Sequence, residues 1–117
     1  MDTRARNILE HMLDDCLDVI KFTDEIENAE AFAASRLYRK AIVMSILNIG
    51  ELAKILPLEF KSTYNAIPWK KIAGMRDIAA HGYHTMDDDI IWDVAIQSIP
   101  ELAEFIQERL KDAYFSL

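Results

Sequence analysis

From Asn28 to Leu56 the chain carries no proline and a single glycine, Gly50, and its apolar residues recur at helical spacing. Ile42, Ile46, Ile49, Ala53 and Leu56 fall on one stripe, with Ala41, Ser45, Leu52 and Ile55 beside it. A helix apolar over so wide an arc must be covered on more than one side, which places it in the middle of a bundle. The rest of the chain is consistent with that demand. Its 117 residues include only three glycines and three prolines, and almost no stretch alternates apolar and polar residues with a period of two, as a half-buried strand would. The expected fold is all-α, a four- to five-helix bundle, and the length suits one hydrophobic core, so residues 1–117 read as a single domain.

The element boundaries follow from punctuation. A first amphipathic helix is expected at about residues 3–23, with Thr3 or Asp2 as cap and Ile8, Leu9, Met12, Leu13, Cys16, Val19 and Ile20 on its packed face. After the polar turn Thr23–Asn28, one long helical segment runs to Leu56. Gly50 inside it costs about 1 kcal/mol relative to alanine, a cost usually tolerated where another backbone passes close by. Pro57 ends that helix, and a short helical turn reaches Tyr64. Pro68 then starts a helix through Trp69, Ile72, Met75 and Ile78 that should end at Gly82. The last segment begins with Thr85 or Asp87 as cap and places Asp87, Asp88 and Asp89 in its first turn, where negative charge suits the helix dipole. Pro100 is expected to break or kink it, and Ser98 followed by Glu101 has the pattern of a capping box for a fresh start.

Charge and composition narrow the function classes. No apolar run approaches the roughly 20 residues needed to span a bilayer, and the start MDTRARNILE has no apolar signal core. The single cysteine, Cys16, excludes an internal disulfide and a cysteine-based zinc cluster, and a reducing cytoplasm is the expected location. The formal net charge of −7 speaks at first against a nucleic-acid ligand. Its distribution does not. Both ends are strongly acidic, whereas residues 36–76 hold Arg36, Arg39, Lys40, Lys54, Lys61, Lys70, Lys71 and Arg76 against only Glu51 and Glu59. Such a segment makes either a basic groove on an acidic body or simply a solvated face.

The chemistry concentrates in Arg76-Asp77-Ile78-Ala79-Ala80-His81-Gly82-Tyr83, at the close of the Pro68 helix. Asp77 and His81, four apart, share a helix face, so the carboxylate can hold the imidazole in one tautomer. Arginine and histidine together suit metal-free RNA cleavage. The ribose 2′-hydroxyl must lose a proton, the leaving 5′-oxygen must gain one, and the phosphorane carries extra negative charge. Histidine titrates near neutrality and can carry the proton. A fixed guanidinium can stabilise the phosphorus oxygens. The bland alternative is a histidine that merely suits a helix C-terminus, beside two surface ions.

This stretch, Arg-x4-His-x-Tyr, resembles the signature of the HepT-like proteins of the HEPN superfamily. The likeness extends to Ile49-Gly50-Glu51-Leu52-Ala53, to Ile67 through Arg76, to Asp87 through Trp92 and to Ile99-Pro100-Glu101-Leu102, nearly the whole chain. The resemblance implies a homodimeric HEPN-type bundle in which the motif helices of two copies meet. It implies an endoribonuclease toxin with Arg76 and His81 as the catalytic pair, drawn from both copies into one cleft. Asp77 then occupies the polar position after the arginine, where asparagine is common in the family, and His84 follows the tyrosine as a second departure. The resemblance further implies an antitoxin of the MntA nucleotidyltransferase type that adenylylates Tyr83. Arg36, Arg39, Lys40, Lys70 and Lys71 are candidate RNA contacts. No cofactor is implied.

Other constellations carry less chemistry. His81, His84 and Asp87 to Asp89 offer nitrogen and oxygen ligands, but the aspartates are accounted for by capping and the chain has no Glu-x-x-His, so no metal site is assigned. Cys16 lies among apolar neighbours and reads as packing rather than as a nucleophile. Trp69 and Trp92 read as core or dimer anchors. Two function classes remain: an endoribonuclease, or a non-catalytic helical subunit that binds RNA or the nucleotidyltransferase. Fold and motif alone do not separate them.

Overall fold

The computed structural model describes residues 1–82 and 88–115, with side chains described throughout except at 78, 79, 81, 82 and 112–115. The described residues form seven α-helical stretches: α1 (Thr3–Asp24), α2 (Ala29–Ala34), α3 (Arg36–Ile55), α4 (Leu58–Thr63), α5 (Trp69–Gly82), α6 (Asp88–Asp93) and α7 (Ile99–Phe115). A π-helical turn, Val94–Ser98, joins α6 to α7 without a break. The long pieces form four rods, α1, α3, α5 and the α6–α7 run. No strand occurs among the described residues. The all-α expectation holds.

Local chemistry explains most of the boundaries. Asp2, not Thr3, caps α1, its carboxylate accepting the Ala5 amide at 2.7 Å. Asn28 caps α2 by accepting the Ala31 amide at 2.9 Å. The long segment expected from Asn28 to Leu56 is in fact split: Ser35 adopts an extended backbone and its hydroxyl accepts the Tyr38 amide, starting α3 afresh. A serine that offers the backbone an alternative hydrogen bond outcompetes helix continuation at that point. The break lets Phe32 turn fully into the core, where its ring lies 5.5 Å from that of Trp92. Pro57 and Pro68 punctuate as expected, and Pro68 contributes the carbonyl that accepts the Ile72 amide at the start of α5.

Pro100 corrects the sequence reading. It neither ends a helix nor lets Ser98 cap a new one; the chain stays helical through it. The Ile99 amide donates to Val94, five residues back, so the turn ahead of the proline is one residue wider than an α turn. That widening relieves the collision between a proline ring and the carbonyl four residues back that would otherwise break the helix.

The buried side chains form a contiguous core on α3's apolar stripe. Leu9, Met12, Cys16 and Val19 from α1 meet Ile42, Ile46 and Ile49, and Ile99 and Ile106 of the α6–α7 run close the far side, all at 1% exposure or less. At one end, Phe60, Tyr64, Trp69 and Phe105 form an aromatic cluster that ties α4 and the start of α5 to α7. The Trp69 indole N–H donates to the Tyr64 carbonyl at 3.1 Å, and the Arg109 guanidinium lies 5.3 Å from the Tyr64 ring centre. Trp69 is therefore a core anchor, and α5, the motif helix, is held firmly at its base.

Candidate active site

The site depends on how closely α5 approaches α3. A methyl group added at Gly50 would lie 2.7 Å from the Arg76 amide nitrogen and 2.8 Å from the Arg76 Cβ. No side chain fits there, so the one glycine of α3 is the position at which the motif helix crosses. The expected reason for tolerating Gly50 is met, and the backbone that passes is that of Arg76 itself.

With the helices so close, the next residue on α3 reaches the arginine. Glu51 forms an ion pair with the Arg76 Nε through its Oε1. The Nε atom is buried and makes no hydrogen bond, so the Glu51 contact holds it by charge alone, out of reach of water. On its other side the guanidinium Nη1 donates to the Asp77 Oδ1 at 3.3 Å. That same oxygen accepts from Lys54 Nζ at 3.5 Å. Lys54 beside it, then the hydrogen bond from Arg76, hold the Asp77 carboxyl below the usual carboxylate range. Four charges, Glu51, Arg76, Asp77 and Lys54, thus alternate in sign across the α3–α5 seam. The Arg76 and Glu51 side chains are 34% and 46% exposed, so the cluster sits at the surface with one edge sunk into the seam.

Asp77 is engaged by Lys54 and Arg76, and the His81 side chain expected beside it lies outside the described residues. The α5 backbone remains helical through His81. Five residues at about 100° each put the His81 position roughly 140° around the axis from Arg76. A single copy does not present both positions on one face. The His81 side chain, Tyr83, His84 and Asp87 lie outside the described residues.

The basic residues are dispersed. Arg39 donates through Nε to Asp88 at 3.0 Å, tying α3 to the start of α6. Lys61 donates to the Ala53 carbonyl at 3.2 Å and holds α4 back against α3. Arg36, Lys40, Lys70 and Lys71 are exposed. Ile90, Ile91 and Val94 line a small cavity with Ile46 and Met75, whereas Ser98, Glu101 and Leu102 line another with Ile67, Pro68, Lys71 and Ile72, so α5 runs opposite to the α6–α7 rod. With Arg39 at Asp88, α3 runs along that rod and opposite to α5. Arg36 and Lys40 consequently sit toward the His81 end of the motif helix, and Lys70 and Lys71 at its other end, about 8 Å from Arg76 along the axis. Among the described residues these four lysines and arginines form two pairs that flank the motif helix.

Cys16 is fully buried, and burial, with Asp15 nearby, pushes its thiol up to about 12, which fits packing and not nucleophilic chemistry. Among the described residues no group of three or more histidine, cysteine, aspartate or glutamate side chains is arranged to hold a metal. No described helix is long and apolar enough to cross a membrane. Glu51 is the residue that sequence reasoning missed. Its signal was present, an acid directly after the only glycine of an apolar helix, but spacing along one helix does not say which residue of another it meets.

Comparison with known proteins bears on the same stretch. Residues 4–109 match the family model described as Ribonuclease HepT-like. The chain is 39% identical over 106 residues to "Putative RNase TTE0752" of Caldanaerobacter subterraneus subsp. tengcongensis, covering 91% of this chain and 94% of that one. It is 36% identical over 108 residues to "Putative RNase MJ0127" of Methanocaldococcus jannaschii, covering 92% and 88%. It is also 30% identical over 93 residues to "Probable ribonuclease HepT" of Thermococcus cleftensis, covering 77% and 84%. No solved structure matches. A helical bundle whose glycine-spaced seam seats Arg76, matched over nearly its whole length, belongs to the HepT-like ribonuclease family.

Proposed function

We propose that this chain is a metal-independent endoribonuclease, the toxin of a toxin–antitoxin pair, and that its cleft is completed by a second copy of itself. The observation that carries the reading is the seated Arg76. Its Nε edge is fixed by Glu51, and its Nη2 has no ion pair among the described residues. A guanidinium held at Nε by Glu51 and at Nη1 by Asp77, with Nη2 left to donate, can receive a phosphate once Asp77 yields. In the reaction, His81 of one copy takes the 2′-hydroxyl proton as the oxygen attacks phosphorus, and His81 of the other gives a proton to the departing 5′-oxygen. Arg76 offsets the charge that builds on the non-bridging oxygens. The products are a 2′,3′-cyclic phosphate and a free 5′-hydroxyl. Large apolar side chains left exposed on the surface, Leu37 and Met44 on α3 and Ile90 on α6, support self-association.

Cleavage of labelled RNA in EDTA, with the product ends identified by mass spectrometry, tests this reading. Arg76→Ala and His81→Ala should each abolish cutting while the helical circular dichroism signal persists. Full activity in either variant, or loss of wild-type activity on chelation, rejects the mechanism. Sedimentation showing a monomer at micromolar concentration rejects the shared cleft. Control is assigned to Tyr83: an MntA-like nucleotidyltransferase transfers AMP from ATP to its hydroxyl, releasing pyrophosphate, and the new phosphodiester competes with RNA for Arg76. Incubation with ATP, magnesium and that enzyme, followed by peptide mapping, should place the added mass on Tyr83. Silencing that persists in Tyr83→Phe rejects this control.

One observation favours the second reading, a non-catalytic subunit that binds RNA or the nucleotidyltransferase. Glu51 and Asp77 both lie against Arg76 and offset its charge. The Arg76→Ala comparison separates the two, since a binding subunit leaves RNA uncut in wild type and variant alike.

A further inference from the structure

We propose that Glu51 and Lys54 of α3 are positioning residues for the site, Glu51 fixing the orientation of the Arg76 guanidinium and Lys54 drawing Asp77 away from it. The proposal rests on the ribonuclease reading above and adds to it two residues on a helix that carries none of the motif.

Glu51 and Lys54, three apart, lie on one face of α3, the face that Gly50 opens to α5. Arginine has five N–H donors in a rigid plane, and a carboxylate on Nε fixes the direction of that plane. Because the Nε is buried, it has no alternative partner in water once Glu51 is neutralised. A swinging guanidinium must then be ordered during each catalytic cycle, a cost that a seated one has already met in folding. Asp77 presents the opposite problem. It sits next to Arg76 in sequence and competes with any phosphate for the same donors. Its Oδ1 is divided between Arg76 Nη1 at 3.3 Å and Lys54 Nζ at 3.5 Å. As an RNA phosphate approaches Nη1 and Nη2, Asp77 can release the guanidinium and keep its lysine. Without Lys54 its remaining counter-ion among the described side chains is Arg76. The Lys54 charge is also the largest influence holding the Asp77 carboxyl in its ionised form.

If these pairs were ordinary surface ion pairs, their loss would be nearly silent, because exposed pairs contribute little to stability. Kinetics of the full-length protein on a defined RNA, with melting temperature measured alongside, distinguish the two. Glu51→Gln keeps an oxygen acceptor but loses the charge. It should lower kcat on the order of tenfold while KM changes less than about twofold, the pattern for an interaction used in the transition state. Lys54→Met should instead raise KM several-fold, and Lys54→Arg should preserve it. The decisive variant is Lys54→Met combined with Asp77→Asn, which should return KM to near the wild-type value, since the lysine is needed only while Asp77 is charged. All variants should melt within a few degrees of wild type. An active wild type with silent Glu51→Gln and Lys54→Met overturns the proposal and leaves the ribonuclease reading standing. So does a double variant no better than Lys54→Met, or losses that merely follow melting temperature. A wild type that cuts no RNA overturns both.

Discussion

On its apolar stripe, helix α3 places Ile42, Ile46 and Ile49 in one buried cluster with Leu9, Met12 and Cys16 of α1, all of them sealed from water. Against α5 it packs through a glycine with no side chain and then through four alternating charges. The same helix thus makes one contact by filling space and another by leaving it empty. The first supplies stability, because apolar burial is the dominant favourable contribution to folding. The second sets a distance, because a backbone can come no closer than the smallest side chain allows. A site that needs an arginine at a fixed depth uses the second kind.

That contrast orders the variants. Ile49→Ala, on the sealed face, should cost about 2–5 kcal/mol by chemical denaturation, the range for a buried aliphatic side chain replaced by a cavity. A loss well under 1 kcal/mol would show that the α1 seam collapses readily and is not the stabilising one. Gly50→Ala, one residue away, gains about 1 kcal/mol of helix propensity but must push the α5 backbone outward, at a cost of about 1–3 kcal/mol. It should be destabilising overall, and it should lower RNA cleavage more than its stability loss explains. A variant with wild-type cleavage would break the link between the glycine and the arginine. Gly74 is the internal control, since nothing lies within 4 Å of an added methyl group there. Gly74→Ala should raise stability by up to about 1 kcal/mol; destabilisation would show that this face of α5 is covered in the assembled protein.

The smallest effect concerns Asp15 on α1. Burial raises its carboxyl pKa above the ordinary 3.8, against a hydrogen bond from Asn48 of α3 that lowers it. A carboxylate raised in the folded state is a penalty at neutral pH. The penalty is absent below pH 3.8, where both states are protonated, and builds as pH rises through the folded pKa. Asp15→Asn should therefore melt slightly higher than wild type at pH 7, with the gain fading under acid. A gain independent of pH would mean that packing, not charge, is responsible. Asp77 has the opposite sign: its lowered pKa contributes stability above 3.8 that is lost as pH falls through the folded value.

The sealed face was legible from sequence and the open one was not, and the reason is physical. Ile42, Ile46 and Ile49 announce burial by period, since every partner they could meet is apolar. Gly50 announces only that something comes close. Which residue comes close depends on the crossing of two helices separated by Pro57 and Pro68, and no pattern within either helix encodes it. Arg76 was identified by its spacing from His81 and by resemblance, yet its seat on Glu51 was not. The expectation of His81 beside Asp77 follows from counting along one helix, whereas Lys54, its partner in the structure, lies on another rod and cannot be found that way. Ser35 and Pro100 misled for a related reason. Each has two local outcomes of similar energy, and the packing of Phe32 and the wide turn at Val94–Ser98 decided between them.

The wide turn has a consequence for insertions and deletions. A π turn uses one more residue than an α turn over nearly the same rise, so α6 and α7 are joined as though one residue had been inserted into a regular helix. Removing a residue from the middle of α1 would rotate everything beyond it by about 100° and turn its packed stripe toward solvent. Removing Gln97, exposed within the wide turn, would instead restore regular helical phase, provided that Pro100, which needs the extra width, is replaced by alanine in the same step. The inserted residue and the proline therefore form a linked pair, and the register that sets Phe105 against Phe60 and Trp69 survives only when both are kept or both are lost.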